Sequence, residues 1–177
     1  MPSLLHTDRI RLRALEPQDV DRLYRWENDP EVWVVSDTQV PYSKFTLQEF
    51  IKTASLDIYA SRQLRLMIED HHEHAVGAVD IFDFDPFHRR AGMGILVDKA
   101  YRNNGYAEEA VHCACQYLFS VLQLHQVYCY VMSDNEISLK LFAKVGFREY
   151  GLKKDWIRHQ SNYIDVHILQ LINENEV

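Results

Sequence analysis

The sequence predicts a mixed α/β (α+β) fold in one domain that spans residues 1–177. Two long segments, 110–121 and 135–145, show the apolar period of α-helices, and several β-branched or aromatic runs alternate as strands do. The predicted order is β-α-α-β-β-β-α-β-α-β-β, which is typical of a sheet with helices packed on it. A chain of 177 residues is also long enough to bury a sizeable core.

The individual elements follow from periodicity and from breakers such as proline and glycine. The predicted helices are 17–27, 43–60, 110–121 and 135–145, the second with an apolar face of Phe45, Phe50, Ile51 and Ala54. The predicted strands are 9–15, 64–68, 75–82, a run that ends at Val97, 126–132, 147–150 and 163–171. Residues 33–42 are expected to be irregular.

The turn Tyr101–Ala107, of sequence Tyr-Arg-Asn-Asn-Gly-Tyr-Ala, lies between a strand and a long helix. The first N–H groups of a helix have no intrahelical acceptor and carry the positive end of the helix dipole. With a glycine at 105 and a small side chain at Ala107, the turn lets these donors approach a phosphate, so we predict an anion site. The alternative is a plain loop, because Asn-Asn-Gly occurs in many turns.

Two motifs together resemble GNAT-superfamily N-acetyltransferases. They are Arg-x-x-Gly-x-Ala at 102–107 and the segment Asn135–Phe147 about thirty residues later. Segments 26–32 and 88–91 are similar to the branch of that family that contains ribosomal-protein N-terminal acetyltransferases and spermidine or diamine acetyltransferases. The resemblance covers nearly the whole chain. It implies the GNAT fold, a mixed, mostly antiparallel, splayed sheet of six to seven strands with about four flanking helices.

The resemblance also implies a cofactor, acetyl-CoA, and the residues that hold it. Strand residues would pair with the pantetheine arm, and the turn would hold the pyrophosphate. Asn135 would hydrogen-bond the pantetheine and could also cap a helix. The implied cofactor-binding residues are Ile95, Leu96, Val97, Arg102, Asn103, Asn104, Gly105, Tyr106, Ala107, Asn135, Ser138 and Lys144.

Acetyl transfer must supply a proton to the leaving thiolate, and here the sequence departs from the family. Many GNAT enzymes carry a tyrosine, the proposed acid, at the position of Phe142, which has no proton to give. Tyr106, Tyr130, Tyr150 or a water remain as candidate donors. Alternatively the thiolate leaves unassisted, which its modest basicity permits.

The base that removes a proton from the attacking amine is also open. Spermidine-type relatives carry a glutamate at the position of Gly92. Asp80 and Asp83 are the candidate replacements, and the alternative is that both are plain surface carboxylates. Because Asp83 and Asp85 alternate with phenylalanines, we expect these two aspartates to share one face of a strand.

The acidic composition, with net charge −7 and pI near 5.7, argues against nucleic acid as a partner and favours a cationic acceptor. The leading prediction is a small-molecule amine, a polyamine or diamine such as spermidine. The alternatives are a protein or peptide N-terminus, or an acyl-CoA-binding module without turnover. The carboxylates that favour a cation are Glu27, Asp29, Glu31, Asp37, Asp80, Asp83 and Asp85.

Aromatic side chains near the first helices are candidates for the wall of the acceptor pocket, by the same resemblance. For each, simple core packing is the alternative. The candidate wall residues are Trp26, Trp33, Tyr42 and Phe45, and the predicted substrate-binding set is Trp26, Glu27, Glu31, Trp33, Asp80 and Asp83.

Other partners are predicted to be absent. No apolar run approaches a membrane span, and the first residues lack the pattern of a signal peptide, so we expect a soluble, cytoplasmic protein. The three histidines of the turn 69–74 could suggest a metal, but solvated side chains are the simpler interpretation and no metal is predicted. Cys113, Cys115 and Cys129 are expected to be buried free thiols. The sequence leaves the oligomeric state open, with a homo-oligomer possible.

Overall fold

The computed structural model describes residues 4–36, 38–54 and 57–174. Its strands are β1 (Ile10–Ala14), β2 (Leu64–Asp70), β3 (Ala75–Asp85), β4 (Arg90–Val97), β5 (Gln126–Met132), β6 (Arg148–His159) and β7 (Asn162–Ile172). Its helices are α1 (Val20–Glu27), α2 (Pro30–Ser36), α3 (Lys44–Thr53), α4 (Ile58–Ser61), α5 (Tyr106–Ser120) and α6 (Glu136–Val145). Within these residues no helix is long and apolar enough to cross a bilayer.

The seven strands form one sheet in the order β1-β2-β3-β4-β5-β7-β6. Every neighbouring pair is antiparallel except β4 and β5, which are parallel. A parallel pair needs a crossover connection, and α5 supplies it. The predicted mixed, mostly antiparallel sheet is therefore confirmed, with six helices rather than about four in the described residues.

Three predicted helix or strand boundaries are wrong, two in the first half of the chain and one near its end. Residues 33–36, predicted to be irregular, belong to α2, because Pro30 suits a first helical position and the Asp29 carboxylate accepts a hydrogen bond from the N–H of residue 31. The single helix predicted over 43–60 is two helices, α3 and α4. The strand predicted to end near 150 runs on to residue 159 as one arm of the β6–β7 hairpin.

The predicted apolar face of α3 is also partly wrong. Phe45 is 70% exposed, whereas Leu47 and Ile51 are the buried residues of this helix. The i, i+4 spacing of Leu47 and Ile51 defines the true inward stripe. Phe45 therefore does not belong to the core, and its contact with an acceptor stays a prediction.

The core lies on both faces of the sheet. On one face, α5 and α6 cover the centre of the sheet, where Val79, Ile81 and Met93 are buried. The three cysteines are free and buried in this first cluster, as predicted, and burial raises the pKa of the Cys115 thiol to about 12. On the other face, α1 and α3 cover a smaller cluster around Met67.

The second face is covered only in part, and this exposes the centre of the sheet. Ala78, at the covered end of β3, is buried beneath α1 and α3, whereas Asp80 and Phe82 further along the same strand are only half-buried. On β5 the Tyr128 side chain lies on this same face, since it contacts the Phe82 ring. We call the surface formed by the half-buried Asp80, Phe82 and Tyr128 and the exposed Asp83 the open face.

Candidate active site

Strands β4 and β5 are paired for only three residues before they separate. The pairs are Arg90 with Gln126, Ala91 with Val127 and Gly92 with Tyr128. From Met93 to Val97, β4 pairs with β3 on one side, and the described chain places no strand on its other side. The backbone groups of this free edge, which includes the half-buried Ile95, Leu96 and Val97, are therefore available to a ligand that lies in the gap.

The turn that follows β4 has the shape of an anion site. Gly105 has φ of +79° and caps α5, and Asn103 has φ of +63°. Among the described residues, the N–H groups of Tyr106, Ala107 and residue 108 find no hydrogen-bond acceptor. Three unpaired donors at the positive end of a fifteen-residue helix form a site for phosphate oxygens.

Basic side chains from distant parts of the chain surround this turn. Arg9, at the start of β1, donates to the backbone carbonyl of Asn104, and its guanidinium lies 5.2 Å from the centre of the Tyr106 ring. The Arg102 guanidinium donates to the Val97 carbonyl at 3.2 Å and lies 3.7 Å from Glu31. Arg102, a predicted cofactor-binding residue, thus forms an ion pair with Glu31, a predicted substrate-binding residue. A bound phosphate would compete with Glu31 for the Arg102 guanidinium.

Asn135 performs the capping role that the sequence allowed. Its side-chain oxygen accepts a hydrogen bond from the N–H of Ser138 at 3.1 Å, so it is the N-cap of α6. Its amide NH₂ has no partner among the described residues, which leaves two donors for a ligand. Lys144, at the other end of α6, is paired with Glu108 at 2.6 Å, so α6 is tied to the first turn of α5.

A half-buried ion-pair network lies at the open face, and sequence reasoning missed its central residue. Arg65 of β2 donates to Asp80 through two nitrogens, one at 2.9 Å, and also to the carboxylate of Glu27. Its guanidinium lies 5.3 Å from the Phe50 ring. Because the Asp80 side chain is 36% exposed, part of its carboxylate still faces solvent. No sequence signal marks Arg65, since its partners lie 38 and 15 residues away.

A β-bulge interrupts the regular alternation of side chains along β3. The register shifts between Phe82 and Asp85, and Asp83 has φ of +49°. Phe84 is consequently buried in the first cluster, while Phe82 lies on the open face, so these two phenylalanines do not share a face. Asp83 and Asp85 have different partners: Asp83 accepts a hydrogen bond from the Tyr128 hydroxyl at 3.4 Å, and Asp85 pairs with Arg90.

Gly92 is covered by an aromatic ring. A Cβ atom at this position would lie 2.1 Å from the nearest carbon of Phe82, its cross-strand partner. A glutamate at this position therefore has no room unless the Phe82 ring moves. At Gly94, opposite Asp80, an added Cβ meets only the Asp80 Cβ, at 3.9 Å.

We expect Gly92→Ala to lower the free energy of unfolding by about 1–3 kcal/mol, because the new methyl group forces the Phe82 ring to shift. Gly94→Ala is the matched control, a glycine two residues away on the same strand, and should change stability by less than about 0.5 kcal/mol. Urea unfolding of both variants measures the difference. Equal stabilities would contradict the close packing of Phe82 on Gly92.

The remaining predicted acceptor residues lie around α1 and α2. Trp26 is 7% exposed in the second cluster and donates to Asp98 at 2.8 Å, and Trp33 is half-buried and donates to the backbone carbonyl of Glu27 at 2.6 Å. Tyr42 is half-buried beside Asn28. Direct contact of these side chains with an acceptor stays a prediction. Asp29 pairs with Lys99, and Asp37 lies outside the described residues.

The histidine-rich turn between β2 and β3 is organised by hydrogen bonds. Asp70 accepts from the N–H groups of His72 and His74, both at 2.9 Å. Over residues 4–36, 38–54 and 57–174, no group of three histidine, cysteine or carboxylate side chains is arranged to hold a metal ion.

Residues 9–148 match the family model described as Acetyltransferase (GNAT) domain. The chain belongs to the GNAT acetyltransferases. It is an acyltransferase, an N-acetyltransferase that uses acetyl-CoA.

Spermidine acetyltransferases are among the proteins that this acetyltransferase resembles. It is 26% identical over 145 residues to a spermidine N(1)-acetyltransferase of Vibrio cholerae, with 80% of each chain covered. It is 29% identical to the spermidine N(1)-acetyltransferase of Escherichia coli K12, with 80% of this chain and 74% of the relative covered. The crystal structure of spermidine N-acetyltransferase from V. cholerae in complex with CoA and spermine is similar with a TM-score of 0.85 at 24% identity, covering 94% and 96% of the two chains.

The residues of this acetyltransferase fit acetyl-CoA. The unpaired N–H groups at the start of α5 suit the pyrophosphate, the free edge of β4 suits an amide-bearing arm, and the spare donors of Asn135 suit an amide carbonyl of that arm. When bound, acetyl-CoA supplies the thioester, and this chain supplies the backbone and side-chain donors around it. The assignment of individual residues to the cofactor stays a prediction.

Proposed function

We propose that this acetyltransferase acetylates a primary amine of a polyamine or diamine of the spermidine class, by direct attack of the amine in a ternary complex. The observation that supports this most strongly is the acidic character of the open face. Asp80 and Asp83 lie on the same strand, next to the point where β4 and β5 separate. Two carboxylates at this point attract a cation to the end of the gap.

The two carboxylates differ in how they are held. Asp80 is oriented by Arg65, which neutralises part of its charge but leaves its outer lone pairs free. Asp83 is exposed at the bulge, and within the described part of the chain its carboxylate is held by the Tyr128 hydroxyl. Gly94 carries no side chain and the Phe82 ring covers Gly92, so an extended amine that reaches from one aspartate to the other would lie against this ring. We infer that Asp80 binds an ammonium group of the acceptor and that Asp83 lies nearer the reacting nitrogen.

The names of the relatives support the same acceptor class, since two of them are spermidine N(1)-acetyltransferases. A dodecameric structure of the V. cholerae enzyme is similar at a TM-score of 0.79 and 25% identity. Assembly of this chain into a homo-oligomer stays a prediction, which light scattering would test.

The second candidate acceptor is a protein or peptide N-terminus. The side of the open face next to β6 favours it, because Tyr130 and Trp156 are both exposed there and no described element closes over them. A surface that is open on one side admits a chain as well as a small molecule. The charge favours the polyamine, and the openness favours the peptide, so turnover must decide.

A free-thiol assay of CoA release tests the proposal across spermidine, spermine, putrescine, propylamine and peptides with a free N-terminal alanine or serine. We expect saturable turnover with spermidine, and a KM for propylamine at least about 10-fold higher because two of the three ammonium groups are missing. The KM for spermidine should rise with salt, since screening weakens attraction to the aspartates. Turnover only with the peptides would overturn the proposed acceptor.

A further inference from the structure

We propose that Tyr128 and Asp83 form the proton-relay pair of acetyl transfer in this enzyme. In this role Asp83 accepts the proton that the attacking nitrogen loses, and Tyr128 donates a proton to the leaving sulfur. The pair would act with any amine acceptor, so the proposal depends on the acetyltransferase activity and not on the polyamine.

Position is the first argument for Tyr128. It forms the last pair of β4 and β5, opposite Gly92, so its ring stands where the two strands separate. Because Gly92 has no side chain, the Phe82 ring occupies the space above it. The Phe82 ring contacts the Tyr128 ring edge-on, with 6.0 Å between the ring centres. The phenol therefore lies on the open face, at the end of the free edge of β4.

The hydrogen bond to Asp83 is the second argument. The bulge in β3 gives Asp83 a φ of +49°, a conformation that is uncommon for a residue other than glycine, and directs its carboxylate to the Tyr128 hydroxyl at 3.4 Å. The partners lie 45 residues apart in the chain. A donor and an acceptor are thus adjacent at the point where the reaction needs both.

The other candidate acids are placed less well. Phe142 is 3% exposed and packs against the Phe147 ring at 5.0 Å. Tyr106 lies beneath Arg9 at the turn, beyond Val97 at the far end of the free edge. At about 3.3 Å per strand residue, Val97 is already ~16 Å from Gly92, so Tyr106 is too far from the point where the strands separate. Tyr150 is 72% exposed on β6. Only Tyr130 is close, at 5.5 Å between its ring and that of Tyr128.

The proton balance closes within the pair. The neutral amine forms a C–N bond to the thioester carbonyl carbon as the C–S bond breaks, and the nitrogen proton passes to the Asp83 carboxylate. Tyr128 gives its phenolic proton to the departing sulfur, so the products are an amide and a thiol. The protonated Asp83 then returns its proton to the Tyr128 oxygen through their hydrogen bond, and both groups regain their starting forms.

The surroundings keep Tyr128 protonated until it is needed. Burial is the main cause that raises the pKa of the phenol to about 12, and the charge of Asp83 and the neighbouring Tyr130 add to it. Arg90 acts in the opposite direction. A phenol with this pKa is fully protonated at neutral pH. Because a thiolate is less basic than the phenolate, transfer of the phenolic proton to sulfur depends on the proton that Asp83 returns to the Tyr128 oxygen.

The activity test compares Tyr128→Phe with Tyr163→Phe, a matched variant of an exposed tyrosine on β7. We expect Tyr128→Phe to lower kcat about 30-fold and to leave the KM for acetyl-CoA and amine within about twofold, whereas Tyr163→Phe changes kcat by less than about threefold. Asp83→Asn should also lower kcat, and the double variant should be no slower than the slower single variant. A kcat within twofold of the native value for Tyr128→Phe would overturn the proposal.

A second measurement needs no turnover. An NMR titration of the free protein with isotope-labelled tyrosine rings reports the pKa of Tyr128, assigned as the signal that Tyr128→Phe removes. In Asp83→Asn the pKa of Tyr128 should fall, because the neutral amide no longer opposes phenolate formation. An unchanged pKa would show that the two groups are not coupled and would also overturn the relay. Failure of the polyamine panel alone would leave both results standing.

Discussion

Gly105→Asp is expected to weaken binding of CoA at least about 100-fold. The new carboxylate would stand at the N-terminus of α5, among the N–H groups proposed to hold the pyrophosphate. Like charges about 4 Å apart repel by about 4 kcal/mol at an effective dielectric constant of 20. Arg9, whose guanidinium lies 3.5 Å from the position of the new Cβ, would offset part of this repulsion. Isothermal titration of the free protein with CoA measures the change directly.

Gly105→Asn is the matched control for that variant. Asparagine and aspartate have the same size and both tolerate the left-handed conformation that Gly105 adopts at φ of +79°. Backbone strain and lost space are therefore common to both variants, and only the charge differs. We expect Gly105→Asn to weaken CoA binding less than about 10-fold. If the two variants bind CoA equally, the turn does not hold the phosphates.

Arg65→Met is expected to cause the largest loss of stability, about 3 kcal/mol. The change leaves the carboxylates of Glu27 and Asp80 without their shared cation, and Glu27 is almost buried. Removal of one partner from a buried ion pair costs about 3–5 kcal/mol, and the partial exposure of Asp80 reduces this value. In a domain of this size the loss corresponds to a drop in Tm of about 6–12 °C. Thermal unfolding followed by circular dichroism measures it.

Two comparisons separate the network from the general effect of losing an arginine. Arg158→Met, at an exposed position on β6, should change Tm by less than about 2 °C. The triple variant Glu27→Gln, Arg65→Met, Asp80→Asn removes the unpaired charges, and it should recover at least about half of the loss. A single variant as stable as the native protein would contradict the placement of Arg65 between the two carboxylates.

The sequence predicts the parts of this enzyme that depend on neighbouring residues. The apolar period of α5 and α6, the strand runs of β5 and β7 and the turn Tyr101–Ala107 are all local patterns, and each is present in the structure. Gly105 and Gly146 have the positive φ values that helix boundaries require, and Asn135 is the predicted N-cap. Local backbone geometry and side-chain capping fix these features, so a short window of residues contains the information.

The tertiary structure alone decided the composition of the open face. The bulge at Asp83 changes which side chains of β3 face the core, and no local pattern of aspartates and phenylalanines reveals it. Arg65 meets Glu27 and Asp80, and Tyr128 meets Asp83, only because four separate elements converge on one side of the sheet. The sequence by itself determined the fold, the turn and the family. Which polar groups meet at the end of the β4–β5 gap depends on strand register, and register is set by pairing between residues distant in the chain.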